Sequence, residues 1–191
     1  MALKVVFMGT PQFAVPALKK ICESEMDIVD VYSQPPRKSN RGMKIEKSPV
    51  HEFADDNNLN IRTPNKLDDD WEYFKSLKFD LAIVVAYGQI ISKNFLEIPE
   101  HGFLNIHASI LPKWRGAAPI QRSIMEQDTF TGISIMQIEE QLDAGPVLIR
   151  QEIELNENST AGQVERRLSE IGADKILEAI HLIEKKEEVK A

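Results

Sequence analysis

Phe79-Asp80-Leu81-Ala82-Ile83-Val84-Val85-Ala86, closed by Tyr87-Gly88, is the stretch on which the fold turns. After Asp80 it is apolar without alternation, and a strand apolar on both sides is one whose two faces are covered, as at the centre of a parallel sheet. The neighbouring segments agree with that reading. Leu3 to Met8 is a short β-branched run ending at Gly9-Thr10-Pro11, a first strand feeding a turn. A helix is predicted from about Pro11 to Ser24, and a second strand from Asp27 to Ser33, stopped at Gln34-Pro35-Pro36 because proline cannot donate to a ladder. Ser48-Pro49 supplies an N-cap with proline at the first helical position. Asn60 to Thr63 reads as a short strand, and Asp68 to Leu77 as a helix whose first-turn acids suit its positive end.

Downstream, Phe103 to His107 is a strand, Pro119 to Glu126 a helix and Thr131 to Ile138 a strand. Val147 to Ile153 is its expected hairpin partner across Asp143-Ala144-Gly145-Pro146, and Ser159 to Lys190 a helix with a charged outer face. The alternation specifies an α/β Rossmann-like fold, a largely parallel twisted sheet with helices on both faces and an antiparallel hairpin near the C-terminal end. In such sheets ligands bind beyond the carboxyl ends of the strands.

With 191 residues, 42% of them hydrophobic and 28% charged, the chain suits one soluble domain. No apolar run is long enough for a secretory leader or a membrane span, so the expected location is cytoplasmic, with no membrane partner. Cys22 is the only cysteine and follows the apolar pattern of Ala14, Leu18 and Ile21, as a small core residue does. The net charge of −7 argues against a surface basic all round. A local exception is Arg37, Lys38, Arg41, Lys44 and Lys47, with Glu46 the only acid among them. It reads as a loop, either merely solvated or a local contact for nucleic acid.

Asn105 and His107 stand two apart and so leave one face of their strand, while Leu104 and Ile106 leave the other. They fall at the strand end where a parallel sheet presents its crevice. Asp143, in the turn of the later hairpin, would project toward the same crevice if that hairpin folds back. Taken singly, Asn105 and His107 could each serve only local backbone groups. Taken with Asp143 they suit acyl transfer to an amine: a histidine that holds a proton near neutral pH, a carboxylate that fixes its tautomer, and an amide N–H for the growing oxyanion.

Other chemistries lack their motifs. Ser109 has no Gly-x-Ser-x-Gly elbow, and Gly9-Thr10-Pro11 has neither a dinucleotide nor a nucleoside-triphosphate fingerprint. His51, His101, His107 and His181 show no ligand spacing, so no metal is expected. Trp71, Tyr73 and Phe74 read as core and rim packing rather than a base-stacking platform.

Asn105-Ile106-His107-Ala108-Ser109-Ile110-Leu111-Pro112, with Asp143-Ala144-Gly145 downstream, resembles the signature of the folate-dependent formyltransferases. The stretches Phe7 to Ala14, Val84 to Gly88 and Trp114-Arg115-Gly116-Ala117-Ala118-Pro119-Ile120-Gln121 are similar to the branch that acts on methionyl-tRNA. Sugar-nucleotide relatives usually carry Arg-Gly-Arg-Ala-Pro where this chain has Arg-Gly-Ala-Ala-Pro. The resemblance implies 10-formyltetrahydrofolate as formyl donor and the α-amine of initiator methionyl-tRNA as acceptor. It implies Asn105, His107 and Asp143 as catalytic residues, and Val85, Tyr87, Gly88, Ser109, Ile110, Leu111 and Pro112 as folate contacts. It also implies Arg37, Lys38, Arg41 and Lys44 as tRNA contacts, although the loop opens Pro36-Arg37-Lys38 rather than with the usual Pro-Asp-Arg-Pro. The family's usual barrel-like C-terminal tRNA-binding domain is expected to be absent from residues 1–191, and the expected state is a monomer. The alternatives are formyl transfer to a sugar-nucleotide amine, or a noncatalytic folate- or RNA-binding domain.

Overall fold

A computed structural model of the chain describes residues 2–39 and 44–185. Its main sheet has seven strands in the order β5-β2-β1-β6-β7-β8-β9. These are β1 (Lys4–Gly9), β2 (Asp27–Tyr32), β5 (Ile61–Arg62), β6 (Leu81–Val85), β7 (Phe103–His107), β8 (Phe130–Gln137) and β9 (Val147–Glu154). β5 through β7 pair in parallel, and β8 and β9 complete the sheet antiparallel. The chain leaves β1 for β2 and β5 on one side, then crosses back to β6 on the other. That reversal opens a crevice at the carboxyl ends of β1 and β6.

The predicted central strand is β6, all five residues of which are buried. Alternate side chains enter two cores. Val5, Phe7, Leu81, Ile83, Val85, Leu104 and Ile106 meet one layer of helices, while Val6, Met8, Ala82, Val84 and Phe103 meet an aromatic layer around Phe74 and Phe95. The first layer is built by α1 (Val15–Cys22), α2 (Pro49–Asp56) and α6 (Ala161–Glu184). α1 and α6 bring Leu18, Ile21, Leu168 and Ile176 to full burial. Ser48 caps α2 as its sequence requires, its Oγ accepting from the His51 amide at 3.1 Å. Cys22 packs against this core, and burial pushes its thiol up. No helix among the described residues is long and apolar enough to cross a membrane.

Two local expectations are corrected. The basic loop contains a two-stranded hairpin, β3 (Arg37–Ser39) and β4 (Lys44–Glu46), whose main-chain ladder tolerates charged side chains on either face. The helix expected over residues 68–77 is instead a 3-10 turn, Leu67–Asp70, followed by α3 (Trp71–Ser76). Asp69 there accepts from the Lys66 amide, while Asp70 turns inward to Tyr32 and Arg62. A short α4 (Lys93–Leu96), with no periodic signal in so few residues, serves to bury Phe95. The remaining helix, α5 (Pro119–Met125), follows the Trp114 to Ala118 segment.

Trp71 and Phe74 pack edge-on against Phe95, and the Tyr73 ring lies under Arg62, so these aromatics are core and rim.

Candidate active site

A cleft of about 760 Å³ opens at the reversal point, between the segment after β1, the turn after β6, the end of β7 and the turn joining β8 to β9. Its walls include Phe13, Val84, Tyr87, Gly88, Asn105, His107, Ala118, Ile120, Met136, Leu142 and Asp143. Because β7 continues to His107, both Asn105 and His107 emerge on the face opposite Leu104 and Ile106, where the aromatic layer gives way to the cleft.

Asp143 reaches this place because the β8–β9 hairpin folds back tightly. The Gln137 amide donates to the Pro146 carbonyl at 2.9 Å. A Cβ on Gly145 would stand 2.0 Å from the Gln137 carbonyl oxygen, so the close approach requires glycine. Asp143 itself has φ of 47°. Its Oδ2 accepts from the Gly116 amide at 2.8 Å and stands 3.8 Å from His107 Nδ1. That second separation is an electrostatic contact, too long for a hydrogen bond.

On the other side of the ring, His107 Nε2 is 3.0 Å from the Trp114 carbonyl oxygen. A peptide carbonyl can only accept, so Nε2 carries a proton. The opposite nitrogen, Nδ1, faces the Asp143 carboxylate. The side chains of His107 and Asp143 are only 8% and 11% exposed, which strengthens their interaction relative to one in open water. The Asn105 side-chain amide lines the cleft and has no hydrogen-bond partner among the described residues. Its donors remain available to a ligand.

The backbone around the cleft is strained. Of the six described non-glycine residues with positive φ, Ala86, Ala118 and Asp143 line the cleft and Trp114 holds His107. Such conformations persist only where surrounding structure enforces them. Trp114 is held by its indole, whose Nε1 donates to Asp128 Oδ2 at 2.7 Å. Lys113 Nζ bonds the other oxygen of Asp128 at 2.6 Å. Burial pushes the Asp128 carboxyl up, but these two donors more than offset it and hold it below the usual carboxylate range.

Of the residues expected to contact folate, Tyr87 and Gly88 line the cleft. Val85, by contrast, points into the opposite core, and Ser109, Ile110, Leu111 and Pro112 lie behind the cleft rather than on its wall. Ser134 on β8 ties that loop down, donating to the Ser109 carbonyl at 2.7 Å and accepting from the Leu111 amide at 3.0 Å. Ser109 Oγ is spent on the Lys113 carbonyl, and Ile110 packs on β8 at Gly132. Arg37, Lys38 and Lys44 lie on the β3–β4 hairpin, and Arg37 is exposed. Arg41 lies outside the described residues. Residue reasoning missed Trp114 and Gly116 as partners of His107 and Asp143, because they act through main-chain groups that any residue possesses. Among the described residues no three His, Cys, Asp or Glu side chains gather as a metal site.

A model of the formyl transferase family matches residues 3–180. The chain belongs to this family. It is 52% identical over 186 residues to a methionyl-tRNA formyltransferase of Pelagibacter ubique, covering 96% of this chain and 60% of that protein. It is 50% identical over 180 residues to a methionyl-tRNA formyltransferase of Parvibaculum lavamentivorans, covering 93% of this chain and 58% of that one. The formyl transferase chain therefore spans 58 to 60% of the length of these two relatives. Its fold is shared with the phosphoribosylglycinamide formyltransferase of Bacillus halodurans, at a TM-score of 0.80, 17% identity and 97% coverage of both chains. That of Anaplasma phagocytophilum gives 0.79 at 18% identity, covering 97% of this chain and 89% of that one.

Proposed function

We propose that this chain is a formyltransferase catalytic domain that moves the formyl group of 10-formyltetrahydrofolate to the α-amine of initiator methionyl-tRNA, in support of translation initiation in the cytoplasm. The observation that carries the reading is the convergence of Asn105, His107 and Asp143 on one cleft at the reversal point of the sheet. Its volume of about 760 Å³ suits a folate-sized ligand, and its walls are mostly apolar with a few polar groups. The pterin lies against Tyr87 and Gly88, while Ser109 to Pro112 act from behind by fixing the end of β7 and hence His107. Arg37, Lys38, Arg41 and Lys44 contact the tRNA backbone, and the domain acts as a monomer.

In the reaction the neutral amine attacks the formyl carbon and the carbonyl π electrons move to oxygen. An α-amine with a pKa of about 8 is partly neutral at pH 7, so strong base assistance is unnecessary. The Asn105 amide and a His107 N–H donate to the oxyanion, a preorganised arrangement that lowers such barriers by about 3 kcal/mol per donor. Donor binding exchanges the Trp114 carbonyl for the formyl oxygen as acceptor of the His107 proton, and Asp143 stabilises the doubly protonated ring. Collapse breaks the bond from carbon to N10. The electron pair stays on N10, which takes up the proton that the amine gives up.

The test is transfer of labelled formyl from 10-formyltetrahydrofolate, with methionyl-tRNA and an amino-sugar nucleotide offered side by side. Label on the tRNA alone is expected. Label on the sugar nucleotide assigns the sugar-nucleotide reaction instead, and folate binding without transfer to either acceptor assigns a noncatalytic domain.

A further inference from the structure

Gln34 stands two residues past β2, where the chain leaves the sheet for the basic hairpin, and it touches both the hairpin and the cleft turn after β6. Its Nε2 donates to the Gly88 carbonyl at 2.8 Å and to the Tyr87 carbonyl at 3.2 Å. Thr10 Oγ1 reinforces the second contact, donating to the Tyr87 carbonyl at 2.8 Å while accepting from the Gln34 amide at 3.3 Å. The carbonyl end of the same side chain, Oε1, accepts from the Arg37 guanidinium at the start of the hairpin. Gly88 has φ of 81°, and a Cβ there would stand 2.2 Å from Gln34 Nε2, so the cleft turn and this amide are built against each other. Ser33 and Ser48 bond across the two ends of the hairpin segment and root it beside the cleft.

We propose that Gln34 is a positioning residue that couples the basic hairpin to the cleft turn, so that occupancy of Arg37 by a phosphate changes how firmly Tyr87 and Gly88 are held. The inference rests on the reading of the hairpin as an RNA contact and of Tyr87 and Gly88 as donor contacts. Its physics is that of a hydrogen-bond chain: a cation on the amide oxygen polarises the group and strengthens its N–H bonds at the other end. A phosphate offers Arg37 a charged, two-pronged acceptor that a neutral amide oxygen cannot match. Once Arg37 turns to the phosphate, the grip on the two carbonyls slackens. Acceptor binding thereby loosens the donor site, and by linkage the donor weakens acceptor binding by the same factor.

The test uses an RNA hairpin with a single-stranded 3′ end as the polyanion and 5-formyltetrahydrofolate as the donor analogue, with the unsubstituted chain, Gln34→Ala and Gln34→Glu. Thermal melting confirms that each is folded. In the unsubstituted chain, RNA is expected to weaken analogue binding about fivefold. It is also expected to shift the amide NMR signals of Gly88 and Gln89, which follow the two carbonyls, with or without the analogue. Gln34→Ala should bind the analogue about fivefold more weakly from the start. RNA should still bind this variant and change neither reading. Gln34→Glu keeps an acceptor for Arg37 but has no donor for the carbonyls, and should behave as Gln34→Ala does. RNA that moves the Gly88 and Gln89 signals equally in all three proteins, or binds without moving them in the unsubstituted chain, overturns the coupling alone. An analogue that fails to bind every protein overturns the donor reading, while the amide signals still report on the coupling. RNA that fails to bind every protein overturns the acceptor reading and the coupling with it.

Discussion

Two regions along the sheet treat buried polar groups in opposite ways. Beside β2, Asp30 and Asp70 are fully committed: Asp30 accepts from Tyr73 at 2.7 Å and from the Val31 amide, and Asp70 accepts from Tyr32 at 2.7 Å and from two nitrogens of Arg62. Beside β7, the polar groups are held in place but not used up. The Asn105 side-chain amide has no partner among the described residues, and His107 and Asp143 face each other at 3.8 Å. Left-handed backbone gathers there too, at Ala86, Trp114, Ala118 and Asp143. Saturated networks hold a fold together, whereas under-committed groups on an enforced frame are what a reacting ligand can engage. Substitutions beside β2 should therefore cost stability, and those beside β7 should cost turnover.

His107→Ala is the sharpest way to break that contrast. It should lower kcat/KM by about a thousandfold or more while the folded state persists, as steady-state kinetics beside a thermal melt would show. An Asp70→Asn substitution should show the reverse. Burial pushes the Asp70 carboxyl up, but hydrogen bonds from Arg62 and Tyr32 outweigh it and hold the group below the usual carboxylate range. Its folded value being lowered, the stabilisation is present above its ordinary value of about 3.9 and is lost as pH falls through the folded value. Urea titration should accordingly show Asp70→Asn less stable by about 2 kcal/mol at pH 7, with the gap closing in acid and turnover by the folded fraction unchanged. Asp30 has the opposite sign, since burial pushes its carboxyl up despite the Tyr73, Val31 and Arg62 contacts. Its net contribution falls as pH rises above the ordinary carboxylate value.

Between these extremes, Asp128→Asn should lower kcat by about tenfold with little change in donor KM, because Asp128 acts on His107 through Trp114. Equal losses in kcat and stability would place Asp128 with the β2 network instead. The smallest effect is expected from Ala118→Gly. The relief of a φ of 55° roughly balances the added freedom of the unfolded chain, for a net change under about 1 kcal/mol in the same urea titration.

The legible parts of this molecule are those whose signal is carried by residue type and period. An unbroken apolar run marked β6, a two-residue spacing placed Asn105 and His107 on one face, and Asp143-Ala144-Gly145-Pro146 marked the turn between β8 and β9. What stayed hidden depends on tertiary partners. Asp70 leaves its expected helix because Tyr32 and Arg62 draw it inward, and Ser109 to Pro112 sit behind the cleft because Ser134 holds them there. The carbonyls of Trp114, Tyr87 and Gly88 carry no residue signature at all, yet they orient His107 and anchor Gln34. The main-chain pairing of β3 with β4 is equally silent in a charged segment without alternation.

The central claim is that the carboxylate of Asp143 supports formyl transfer through His107, and the most direct measurement is the single-turnover rate of formyl transfer from 10-formyltetrahydrofolate to methionyl-tRNA for Asp143→Asn beside the unsubstituted chain. Asparagine keeps an oxygen for the Gly116 amide but removes the charge facing His107. The account predicts a loss of about a hundredfold or more in a folded protein that still binds the donor. Transfer at an unchanged rate would contradict it.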